Sequence, residues 1–117
     1  MSLSSRSQCW LSIWLFLRAL HDRFSPGQGK CFVQDDLGAL LQEVEARYQK
    51  LPFWFFLKNS GRGTGGIIDF LLMQGYANTA PGQEDSYIIL SNLTQGFAQL
   101  EPEQKELLAK VEAEAVA

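Results

Sequence analysis

The clearest structural signal in this chain is DDLGALLQEVEARYQKL, residues 35–51. Its apolar side chains recur every three or four residues, which places them on one face of an α-helix. They are Leu37, Leu40, Leu41, Val44, Tyr48 and Leu51. Asp35 or Asp36 is the expected N-cap, and Pro52 disfavours helical geometry at Leu51. This helix therefore needs a protein core in which to bury its apolar face.

The preceding segment predicts another helix, from about Ser5 to Phe24. Its apolar residues have helical spacing on two faces. They are Trp10, Ile13, Trp14, Leu17, Leu20 and Phe24 on one face and Leu11, Leu15 and Phe16 on the other. A helix that is apolar on more than one side lies at the centre of a fold or covers a partner. The turn-forming sequence SPGQG, residues 25–29, ends it.

Three further helices are expected in the second half of the chain, over about 67–75, 85–100 and from Pro102 onward. Asp85 or Ser86 is the expected N-cap of the second, although YIIL, residues 87–90, also has strand propensity. For FWFFL, residues 53–57, we favour a short helix over a strand, because no confident strand partner is present. The sequence therefore predicts a single all-α domain over residues 1–117, a compact bundle of five to six helices.

Length and composition agree with one such domain. The chain has 117 residues, of which 46% are hydrophobic, so it can bury one core without a disulfide scaffold. Arg18 interrupts the apolar run at residues 8–20, so we expect neither an export signal nor a membrane span. We therefore expect a cytoplasmic protein with reduced thiols, while a disulfide between Cys9 and Cys31 stays open.

Charge is distributed unevenly along the chain. Residues 1–62 carry eight basic and five acidic side chains, whereas residues 63–117 carry two basic and eight acidic ones. The overall charge of −3 hides this asymmetry. A sequence pI near 5.0 argues against a stand-alone nucleic-acid binder, because phosphate neutralisation depends on the density of Lys and Arg.

No motif in the chain points convincingly to catalysis. GRGTGG, residues 61–66, matches G-x-G-x-x-G, but a dinucleotide site needs a parallel sheet that the helical first half leaves no room for. A P-loop is excluded because no Lys-Ser or Lys-Thr pair follows the glycines. His21 is the only histidine, and two cysteines with one histidine fall short of a zinc site. We therefore expect no enzymatic activity, no cofactor and no metal.

The glycine-rich loop at residues 58–66 has a second interpretation as a phosphate cradle. Glycine lets backbone amides approach a phosphate closely, and a helix N-terminus favours anions. Side-chain contacts would come from Lys58, Asn59, Arg62 and Thr64, with Arg47 and Lys50 one helix earlier. Basic groups beside aromatic side chains are typical of single-stranded nucleic-acid binding. The alternative is a flexible connector with solvated charges.

Three short segments resemble a known family. They are YQKLP at 48–52, KNSG at 58–61 and IIDFLL at 67–72. Together they resemble the small helical subunit of CRISPR effector complexes, particularly the Cmr type, over about 25 of the 117 residues. The chain departs from that pattern at Ser60 and in the longer loop at 61–66.

The resemblance implies an all-α bundle without an active site. Such a subunit stacks head to tail along an antiviral defence complex, beside the guide–target duplex or the displaced strand. Carried onto this chain, it implies phosphate contacts by Arg18, Arg23, Lys50, Lys58 and Arg62, with the acidic second half meeting the basic face of a neighbour.

We therefore expect a non-catalytic small helical subunit of a nucleoprotein complex, with protein subunits and RNA or single-stranded DNA as partners, and no membrane. The residues expected to bind nucleic acid are Arg18, Arg23, Lys50, Lys58, Asn59, Arg62 and Thr64. The alternative is a helical protein-interaction or inhibitor module, encoded by a phage or mobile element, with an acidic binding surface.

Overall fold

A computed structural model describes residues 4–53 and 64–116. The described part contains five α-helices and one short antiparallel sheet. In chain order they are α1 (Ser5–Arg23), α2 (Gln34–Arg47), α3 (Thr64–Met73), β1 (Ala77–Thr79), β2 (Tyr87–Ile89), α4 (Ser91–Ala98) and α5 (Pro102–Val116). The fold is mostly helical and compact, so the expectation of a purely all-α protein was wrong in one respect, the two-stranded sheet.

Helix α1 is the central element. It packs against α2, α4 and α5, and α2 also packs against α3. Phe16, Leu17 and Leu20 belong to the main core, whereas Leu11 and Leu15 meet Leu108 of α5 in a second, smaller cluster. Phe16, which the sequence grouped with Leu11 and Leu15, belongs to the main core, so the second apolar face is divided between the two clusters.

Helix α2 starts slightly earlier than predicted and is capped differently. Its N-cap is Val33, whose backbone N–H donates to Oδ2 of Asp36 at 2.9 Å. Asp36 therefore lies in the first turn of the helix and accepts a hydrogen bond there, whereas the sequence predicted it, or Asp35, as the N-cap. The helix buries Leu37, Leu40, Leu41 and Val44 as predicted, but it ends at Arg47. Tyr48 and Leu51, which were expected on the same helical stripe, lie beyond its end and are half-buried.

The hairpin replaces the first turn of a predicted helix. Residues 77–79 pair with residues 87–89, with Asn78 opposite Ile88. Tyr87 also exchanges two backbone hydrogen bonds with Phe32, at 2.9 and 2.8 Å. Tyr87 therefore has partners on both sides, and α4 begins only at Ser91, with Leu90 rather than Asp85 or Ser86 as its N-cap.

Helix α3 begins at Thr64, three residues before the expected start at Ile67. Gly65 and Gly66 therefore lie in the first turn of a helix instead of in the predicted loop. Phe53 is buried and is not part of a helix. The rest of the aromatic run for which we favoured a short helix, residues 54–57, lies outside the described residues.

Candidate nucleic-acid interface

Arg18 is exposed on α1 and faces α4. Its Nε lies 3.7 Å from Oδ2 of Asp22, and its guanidinium carbon lies 5.6 Å from the centre of the Phe97 ring. The ion pair with Asp22 is solvent-exposed and therefore weak. Arg18 could therefore bind a phosphate while it keeps its contacts with Asp22 and Phe97.

Arg23 is engaged within the fold. Its Nη2 donates to Oε2 of Glu43 at 2.8 Å and its Nη1 to Oε1 at 3.5 Å, which joins the end of α1 to α2. This hydrogen bond, together with the charge of Arg23, holds the pKa of Glu43 below its ordinary value. A phosphate would have to compete with this carboxylate for Arg23.

The three predicted cations that the structure describes do not form one patch. Arg18 and Arg23 are five positions apart on α1, which separates their directions by about 140° around the helix. Lys50 lies near Leu11, and Leu11 is about 18 Å from Arg23 along the helix axis. Contact of each residue with nucleic acid stays a prediction.

Lys50 lines a cleft between α1, the end of α2 and α5, which we call the α1–α2–α5 cleft. Its volume is about 480 Å³. Its apolar residues are Leu11, Ala46, Leu51, Val111 and Ala115, and its polar residues are Arg47, Tyr48, Gln49, Lys50 and Glu114. This volume falls within the range of about 300–1,000 Å³ that is typical of ligand-binding pockets.

The end of α2 determines where the cationic groups of the cleft lie. The N–H of Tyr48 donates to the carbonyl of Val44, and the N–H of Leu51 donates to the carbonyl of Tyr48 at 3.0 Å. This turn holds Lys50 just beyond the helix, where the negative end of the helix dipole favours a cation. Among the described residues, no carboxylate lies within 4 Å of the Arg47 or Lys50 side-chain nitrogens.

Tyr48 is half-buried between the two core clusters. Burial raises the pKa of its phenol above the ordinary value, the Glu112 carboxylate raises it further, and a hydrogen bond with Arg47 acts in the opposite direction. The phenol therefore stays neutral at physiological pH and presents an uncharged aromatic group beside two cations.

The glycine segment is only partly described. Lys58, Asn59 and Arg62 lie outside the described residues, while Thr64 is the first residue of α3. The first amides of a helix have no carbonyl partner within it and carry the positive end of its dipole. The start of α3 therefore supplies an anion-favouring group two positions after Arg62 in the sequence.

The described structure also bears on the dinucleotide interpretation of the G-x-G-x-x-G motif, on His21 and on the two cysteines. The only sheet among the described residues has two antiparallel strands, whereas a dinucleotide site needs a parallel sheet. His21 Nε2 lies 2.7 Å from Oγ1 of Thr94, and both cysteines are free thiols. Within residues 4–53 and 64–116, no group of His, Cys, Asp or Glu is arranged to hold a metal ion, and no helix is long and apolar enough to cross a membrane.

Sequence reasoning identified Arg47 and Lys50 but missed the cleft they border. Glu114 and Val111 come from α5, more than sixty positions later in the chain. No local sequence pattern indicates that α5 packs beside the end of α2.

Comparison with known protein families, with curated proteins and with solved structures finds no match to this chain.

Proposed function

We propose that this chain is a non-catalytic helical subunit of a nucleoprotein complex, which binds nucleic-acid backbone and neighbouring protein subunits. The observation that carries the proposal is the start of α3 at Thr64, inside the glycine-rich segment. It sets the first amides of a helix two positions after Arg62 and six positions after Lys58 in the sequence.

Phosphate is the ligand that this combination favours. Backbone amides of a glycine-rich helix start can approach a phosphate oxygen without side-chain hindrance, and the helix dipole adds a favourable field. Arg62 and Lys58 would add charge-assisted hydrogen bonds. None of these groups reads a base, so the contact would be independent of sequence.

Contacts with neighbouring subunits are supported by the charge asymmetry. The exposed acidic residues of α5 include Glu103, Glu106 and Glu114, and no described cation pairs with them within 4 Å. A subunit with a basic first half and an acidic second half is complementary to a second copy placed head to tail.

The test is fluorescence anisotropy with labelled single-stranded RNA and DNA over a range of salt concentrations. We expect Arg62→Glu to weaken binding at low salt by at least about fivefold and to reduce the slope of log affinity against log salt. Arg6→Glu is the matched control, because Arg6 is exposed at the start of α1 and makes the same change of charge. No detectable affinity at low salt, both for the free protein and for its purified complex, would overturn the proposal.

A second candidate function is a protein-interaction or inhibitor module that binds through α5. The observation in its favour is that Glu103 and Glu106 are exposed and pair with no cation of the described residues within 4 Å. If nucleic-acid binding is absent, we expect Glu103→Lys combined with Glu106→Lys to release a partner that co-purifies with the native protein. Retention of the partner by that variant would argue against α5 as the binding surface.

A further inference from the structure

We infer that the α1–α2–α5 cleft is a nucleobase site, which takes one unstacked base of a single strand and prefers a base with an exocyclic amino group. This inference rests on the proposed function, since it assigns a base-binding role beside the backbone contact. It is carried by a different set of residues, all of them in the described part of the chain.

The size and lining of the cleft fit a base with its sugar. A volume of about 480 Å³ exceeds what one heterocycle needs. An engineered cavity of about 150 Å³ already holds benzene. Leu11, Leu51 and Val111 supply an apolar surface, and the Tyr48 ring supplies an aromatic one. Aromatic and apolar surfaces bind any base through its π-face, which is the usual way a single strand is held.

The charges of the cleft fit the phosphates on either side of that base. Arg47 and Lys50 are exposed and lie at its α2 side. Neither has a described carboxylate within 4 Å, unlike Arg18 and Arg23 elsewhere on the surface. Arg47 hydrogen-bonds the Tyr48 phenol, and its charge also acts on Glu43. A base in the cleft would therefore leave its backbone beside two cations that no described carboxylate contacts.

Glu114 supplies the selectivity. Glu114 is exposed and lines the cleft from α5, whereas Arg47 and Lys50 line it from the end of α2. A carboxylate only accepts hydrogen bonds, so it favours the amino group of cytosine and disfavours the carbonyl oxygen at the same position of uracil. Glu112, which lies near Tyr48, adds negative potential that works in the same direction.

The experiment compares three labelled chains of equal length by anisotropy: oligocytidine, oligouridine and an abasic chain with the same phosphates. We expect oligocytidine to bind about tenfold more tightly than the abasic chain, because base stacking on an aromatic group contributes to affinity. We expect it to bind about fivefold more tightly than oligouridine, the effect of one additional hydrogen bond.

The outcomes separate this inference from the proposed function. If none of the three chains binds either the free protein or its purified complex at low salt, the proposed function fails. If all three bind equally, the backbone contact stands and the cleft is not a base site. Tighter binding of oligouridine than of oligocytidine would overturn the selectivity assigned to Glu114.

Two cleft variants and one control outside the cleft show where the base preference arises. Glu114→Gln should remove the preference for cytosine, because the amide both donates and accepts, while binding of the abasic chain should not weaken. Glu84→Gln, which changes an exposed carboxylate outside the cleft, should leave the preference intact. Ala115→Phe should fill the cleft and bring oligocytidine to the affinity of the abasic chain, with thermal unfolding used to check that the variant is folded.

Discussion

Gly96 of α4 lies against the indole of Trp14 on α1. A Cβ atom at Gly96 would stand 3.2 Å from Cη2 of Trp14 and 3.7 Å from its Cζ3. The indole has little freedom to retreat, because the ring centres of Phe97 and Tyr76 lie 4.9 and 6.3 Å from its own. The absence of a side chain at position 96 is therefore what allows α4 to approach α1 this closely.

This contact predicts the effect of Gly96→Ala. Alanine gains about 1 kcal/mol of helix propensity over glycine, while overpacking against a held ring costs about 1–3 kcal/mol. We expect a net loss of about 1 kcal/mol in the free energy of unfolding, measured by urea titration. A double-mutant cycle with Trp14→Phe provides the control. If the smaller ring does not reduce the loss, crowding at Trp14 is not its cause.

The Arg23–Glu43 ion pair predicts a dependence of stability on pH. Because the folded-state pKa of Glu43 is lowered, the pair stabilises the protein above the unfolded-state pKa, and this contribution is lost as pH falls through the folded-state pKa. The difference in unfolding free energy between the wild type and Glu43→Gln should therefore shrink from about pH 6 to about pH 3.

The matched control for that experiment is Glu45→Gln on the same helix, since Glu45 pairs with no described cation within 4 Å. High salt should reduce the effect of Glu43→Gln, because the pair is exposed and screened. A difference that grows on acidification would contradict the assignment.

Leu108 attaches α5 to the rest of the fold. It is buried against Leu11 and Leu15, in a cluster separate from the main core. We expect Leu108→Ala to lower the unfolding free energy by about 2–3 kcal/mol and to speed hydrogen exchange in α5 more than in α2. Leu107→Ala, the same substitution at a less buried position, should cost clearly less. Equal costs would show that Leu108 is not the anchor.

The loop of the hairpin contains a left-handed residue, Asp85, at a φ of 59°. A β-branched side chain is strained in this region, whereas Asp tolerates it. We expect Asp85→Val to cost about 1–2 kcal/mol and Asp85→Gly to be neutral or stabilising. Glu84→Val is the control, because it removes a neighbouring exposed carboxylate without a positive φ. Similar melting temperatures for the two valine variants would contradict the left-handed conformation.

Periodicity predicted the long helices because their apolar residues repeat over several turns. Helix α1 was expected from Ser5 to Phe24 and spans Ser5–Arg23, and α5 begins at Pro102 as expected. The hairpin escaped prediction because YIIL satisfies both a helical face and a strand. Residues 87–89 form a strand because they hydrogen-bond to Phe32 and to residues 77–79. No local sequence pattern encodes these contacts.

The sequence likewise predicted only part of the candidate site. Local sequence was enough to pick out Arg47 and Lys50 as cations at the end of a helix. The resemblance to the small subunit of CRISPR complexes implied that Arg18 and Arg23 belong with Lys50 to one basic set. In the folded chain these two have carboxylate partners and face different neighbours, so equivalence along the sequence did not translate into a shared surface.

By itself, the sequence determined that the chain folds around amphipathic helices, that α1 has two buried faces and that basic and acidic groups separate along the chain. Helical periodicity and charge order are local properties, so they can be read without a structure. Only the tertiary structure decided the hairpin, the start of α3 within the glycines and the cleft formed by Leu11, Lys50 and Glu114. Each of these features depends on contacts between residues far apart in the chain. The free energy of such contacts is determined by the packing of the whole fold and not by local sequence.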